Sequence, residues 1–137
     1  RNQIMAIKEE SVTDQKNSLT VCLDNILRHA GITRNTEYDL AQGKTAIQIL
    51  EENMTGVQVL DLSGCSLDAV LYYVNQDIPV LAILEDGEAV LVTGFNEFNV
   101  VIMEPSTGKL YKKGMNDATT WFAENGNHFI SYMKIDN

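Results

Sequence analysis

The stretch SLTVCLDNILRHAG, Ser18 to Gly31, decides how this chain folds. Leu19, Cys22, Leu23, Ile26, Leu27 and Ala30 recur at the spacing of a single buried helical stripe. Asn17 and Ser18 both suit the N-cap, because a short side-chain oxygen can accept a free N–H of the first turn. Gly31 suits the left-handed position just past the C-terminus. Arg28 and His29 place positive charge in the last turn, where the helix dipole favours it.

Downstream of this helix, 32–43 is polar and reads as a connection. A second helix follows from Lys44 to about Met54, with Ile47, Leu50 and Met54 on one face. Val57 to Leu62 alternates as a short strand. Ser66 then caps a third helix whose stripe is Leu67, Val70, Leu71 and Val74. From Pro79 the period changes. Pro79 to Leu84 is an apolar run, and Asp86-Gly87 predicts a two-residue type I′ hairpin turn. Strands follow over 88–95, 99–103 and 109–113, then a short helix near Asn116 carrying Trp121 and Phe122, then a last strand over 129–135. Helices first and an antiparallel meander after them predict an α+β class with segregated layers. No repeat or linker divides the chain, so 1–137 reads as a single domain. Because it opens on Arg1, it is expected to be excised from a longer protein.

Composition narrows the function. The 137 residues are 45% hydrophobic with two prolines, enough to bury a core without a metal or disulfide staple. A net charge of −9 argues against nucleic acid and against an anionic membrane surface, both of which need cationic partners. No apolar run approaches the ~20 residues of a membrane span. Cys22 and Cys65 make no metal spacing; a bridge between them stays open, while Cys22 on an apolar stripe reads as a buried core thiol. With two histidines, His29 and His128, and no paired ligand run, neither a metal nor a cofactor is expected.

The order of these elements resembles the bacterial double-glycine leader peptidases, papain-like cysteine peptidases that trim bacteriocin precursors. Their helix normally opens on a Cys-Gly pair and carries a structural cysteine four residues on. Here Cys22 matches the structural cysteine, Ser18 stands in the nucleophile position and Leu19 follows it. EAVLVTGF puts Glu88 where the family has its histidine, and MEPSTGK puts Glu104 where it has its aspartate, with Pro105 retained. The oxyanion glutamine position falls near Val12, and Gln15 is too close to Ser18 to fill it. The resemblance therefore implies a papain-like fold with degenerate catalytic positions Ser18, Glu88 and Glu104.

That pattern implies a catalytically inactive domain. It would bind a peptide or protein segment, another domain of the same protein among them, or serve as a structural module of a bacterial surface or transport protein. Ser18 as a helix cap is the plainer reading beside Ser18 as a nucleophile, since a hydroxyl without a base is weak. Glu88 and Glu104 on adjacent strands could together take a cation or a basic peptide, or simply be solvated strand ends. The competing reading is an active cysteine peptidase using Cys22 with His128, which requires Cys22 to leave the apolar stripe. Tyr72 and Tyr73 are neighbours on a helix, so at most one of them can be fully buried.

Overall fold

The structure is a computed structural model that describes residues 3–4 and 17–135. In chain order it contains β1 (Gln3–Ile4), α1 (Ser18–His29), α2 (Glu37–Ala41), α3 (Ala46–Asn53), β2 (Val57–Asp61), α4 (Leu67–Val74), β3 (Val80–Ile83), β4 (Ala89–Phe95), β5 (Asn99–Glu104), β6 (Lys109–Gly114), α5 (Met115–Glu124) and β7 (His128–Lys134). The sheet order is β2-β7-β3-β4-β5-β6, with β1 added beside β4, and every pairing is antiparallel.

The apolar runs explain the centre of this sheet. Val80, Leu81 and Ala82, then Val90, Leu91 and Val92, are buried at consecutive positions. Successive side chains point to opposite faces, so both faces of these strands are covered. Cys22, Leu23, Ile26 and Leu27 of α1 pack with Ile49, Leu50, Leu81, Leu91 and Met103 on one face. Leu67, Val70 and Val74 of α4 and Phe122 of α5 pack with Val80, Val92, Ile102 and Phe129 on the other. Each fully buried aliphatic side chain of this kind contributes about 1.5–3 kcal/mol.

The helices therefore lie on both faces of the sheet. The terminal strand β7 also departs from a simple meander, since it inserts between β2 and β3. Its central residues Phe129 to Tyr132 are buried, whereas β2 is half-exposed and forms an edge. The opposite edge, β6, carries Lys109, Lys112 and Lys113, charges that discourage edge-to-edge pairing.

Three local expectations are corrected. The connection over 32–43 contains the short helix α2, which has no side-chain cap; the N–H of Thr36, the residue just before it, donates to the Asp24 carboxylate on α1 at 2.9 Å. That partner lies twelve residues away, so no local sequence signal marks it. The helix read from Lys44 begins at Ala46, because Thr45 and Gln48 form a capping box. The Asp86-Gly87 turn is not type I′, which needs positive φ at both central residues. Among the described residues of this turn only Gly87 has it, at +84°. Gly87 N–H donates to Leu84 O and Leu84 N–H donates to Glu88 O, the pattern of a type I turn closed by a glycine bulge.

Candidate functional site

Asn17, not Ser18, caps α1: its Oδ1 accepts the Leu19 N–H at 2.8 Å. The expectation that Ser18 is the N-cap is thus corrected by one residue. Ser18 becomes the first helical residue, which leaves its hydroxyl free for a longer-range partner. Its Oγ accepts the Ala89 N–H at 2.8 Å, across 71 residues of sequence. The start of α1 is thereby held against the start of β4.

Glu88 immediately precedes Ala89, so the sequence-matched Ser18 and Glu88 positions meet at one place. Glu88 is exposed in the β3–β4 turn, where its N–H donates to Asp86 Oδ1 at 2.9 Å. Glu104 ends β5 and is half-buried. Its Oε1 accepts both the Ser106 N–H at 3.1 Å and the Ser106 hydroxyl at 3.0 Å. The two acids lie at the same end of the β4–β5 pair, but no hydrogen bond joins Glu104 to Glu88. A glutamate is also a poor substitute for an imidazole, because a carboxylate is too weak a base at neutral pH.

Cys22 has 0% exposure in the core between α1 and the sheet. Burial, and to a lesser degree the Glu104 charge, push its thiol well above the ordinary cysteine range. A nucleophilic cysteine needs the opposite environment, exposed and electropositive. Cys65 packs against the cluster on the far face of the sheet, and both thiols are free. The sheet stands between them, which removes the possibility of a bridge.

Neither histidine serves Ser18. His29 lies at the other end of α1, its Nε2 3.0 Å from the Asp77 carbonyl and 3.8 Å from the Asp77 carboxylate. His128 opens β7 and pairs with Ile83, which pairs in turn with Ala89. His128 is therefore two strands from Ala89, about 10 Å at normal strand spacing. Val12 and Gln15, the positions considered for an oxyanion donor, lie outside the described residues. Among the described residues, no group of three His, Cys, Asp or Glu side chains has the geometry to hold a metal ion. No helix there is long and apolar enough to cross a membrane.

Tertiary structure also builds an indentation that sequence reading missed. Asp61, Ser63, Ile83, Leu84, Glu85, Gly87, His128 and Ile130 line a recess of about 390 Å³ beside the β3–β4 turn. Asp61 Oδ1 accepts the Ser63 N–H at 3.0 Å. The Ser63 hydroxyl, and then its N–H, hold the Asp61 carboxyl below its ordinary range, with His128 a smaller influence. The only local signal was the Asp-x-Ser turn; the other acid and the histidine arrive from separate strands. The aromatic pair on α4 divides as its adjacency requires, with Tyr72 63% exposed and Tyr73 half-buried.

No family model matches the chain, and no curated protein matches it either. Among solved structures, it is similar to a crystal structure of a candidate C39-like peptidase from Bacillus anthracis. That match has a TM-score of 0.82 at 15% sequence identity and covers 100% of both chains. The chain thus has the papain-like α+β fold of a C39-like peptidase.

Proposed function

We propose that this peptidase-like domain holds an extended peptide segment at the start of α1 without hydrolysing it. The observation that supports this reading is the 2.8 Å bond from the Ala89 N–H to Ser18 Oγ. It keeps helix and strand together at the place where the papain-like resemblance puts the chemistry, while a glutamate stands in the base position. A hydroxyl without a base does not become a nucleophile, and neither His29 nor His128 reaches Ser18. The exposed acids Glu85, Asp86 and Glu88 give this rim a negative charge that suits a basic or neutral segment better than an acidic one. Extended peptides gain main-chain hydrogen bonds and side-chain pockets in such clefts. The segment belongs either to another domain of the same protein or to a separate chain.

The test uses fluorescein-labelled peptides of varied charge, read by anisotropy, with mass spectrometry of the same samples after incubation. The expected result is saturable binding of basic peptides, intact peptide afterwards, and weakened binding in a Glu88→Lys/Glu104→Lys double variant. Cleavage that disappears in Ser18→Ala would overturn the non-hydrolytic part. Binding unchanged by the charge reversal would remove the acidic rim from the argument.

A further inference from the structure

We infer that the recess between β2, β7 and the β3–β4 turn is a side-chain pocket for a cationic residue, lysine or arginine, of the bound segment. Its floor is apolar, made by Ile83, Leu84 and Ile130, which suits the methylene stem of such a side chain. Its rim is acidic, with Asp61 on one side and Glu85 on the other. No lysine or arginine among the described residues forms an ion pair with either carboxylate. The Ser63 hydroxyl and N–H keep Asp61 charged, so the acceptor is present before a ligand arrives.

Gly126 adds an independent sign that the rim is built to converge. A Cβ there would meet His128 Nε2 at 2.7 Å and Glu85 Oε1 at 3.1 Å. Imidazole and carboxylate thus close over the bare face of a glycine, whose φ of +86° also favours the absence of a side chain. Asn125 Oδ1 accepts the Glu85 N–H at 3.1 Å and fixes the turn that carries this acid.

The inference rests on the peptide-holding reading for one detail, the spacing. The register Ala89–Ile83–His128 sets the pocket about 10 Å from the Ser18 end of the cleft. An extended chain advances about 3.3 Å per residue, so the cationic residue lies about three positions from the one over Ser18.

The experiment uses the full chain with ¹³C-labelled isoleucine methyls and two probes, N-acetyl-arginine amide and its neutral counterpart N-acetyl-citrulline amide. The expected result is saturable shifts at Ile83 and Ile130 with the arginine probe. Affinity falls about three- to tenfold with citrulline, and by a similar factor in an Asp61→Asn/Glu85→Gln variant, the size that two partly exposed ion pairs supply. Equal shifts from both probes, shifts unaltered in the double variant, or no saturable shift at these methyls would each overturn the pocket. Fragment binding without any peptide binding at α1 would keep the pocket and remove the cleft reading. Peptide binding without fragment shifts would do the reverse.

Discussion

Ser18 on α1 and Ala89 on β4 are joined by a 2.8 Å hydrogen bond between a side-chain hydroxyl and a backbone N–H. The bond is possible because Asn17 has already satisfied the first turn of the helix. It ties the two layers of the fold at their shared rim, and both partners belong to parts of the chain that have no local reason to meet.

Replacing Ser18 with alanine leaves the Ala89 N–H without its partner in a half-buried place. The expected cost is about 1–2 kcal/mol, seen as a lower urea midpoint with an unchanged slope. A Ser18→Thr variant, which keeps the hydroxyl, should recover part of the loss.

Cys22 should resist iodoacetamide in the folded protein, because its thiol is buried and its ionisation is pushed upward. Half-buried Cys65 should label first. Mass spectrometry after timed labelling, with and without denaturant, distinguishes the two sites. Rapid labelling of Cys22 in native buffer would revive it as a nucleophile.

Asp61 gives a pH dependence of definite sign. Its folded carboxyl is held below the unfolded value by Ser63, so the associated stability is present above about pH 4 and is lost as pH falls through the folded value. The difference in stability between wild type and Asp61→Asn should therefore be visible at pH 7 and shrink toward zero in acid. Chemical denaturation at several pH values checks this, and a difference that grows on acidification would contradict it.

Asp77 occupies the left-handed region at φ 65°, just past the end of α4, where glycine is the usual residue. The bond to His29 uses the Asp77 backbone oxygen, so a substitution can retain it. Asp77→Gly should be neutral or stabilising by up to about 1 kcal/mol. Asp77→Val should cost about 1–2 kcal/mol, because a β-branched residue is strained there. Thermal unfolding of the two variants provides the comparison.

Much of the architecture was legible because periodicity is a local property. The centre of the α1 stripe appears in the core, with Cys22, Leu23 and Leu27 at 0% exposure, while Leu19 is half-buried and Ala30 is exposed. The continuous apolar runs of β3, β4 and β5 signalled strands, but that helices cover both faces emerged only from the structure. The matched positions Ser18 and Glu88 were legible as neighbours only through the family resemblance. The exact cap was not legible, since Asn17 and Ser18 have equal capping chemistry and only the Ala89 N–H separates their roles. The helix α2 escaped because it has no side-chain cap, and the bond that seats its start runs from the Thr36 N–H to Asp24, a side chain from another helix.

The sequence by itself determined most of the elements, α2 and β1 excepted, and their order. These follow from residue type and spacing along the chain. Only the tertiary structure decided that β7 enters between β2 and β3, that Cys22 and Cys65 lie on opposite faces, and that Asp61, Glu85 and His128 surround one recess. Those facts depend on strand register between distant segments. Register is set by how two whole faces bury their apolar side chains together, which no local window of the sequence contains.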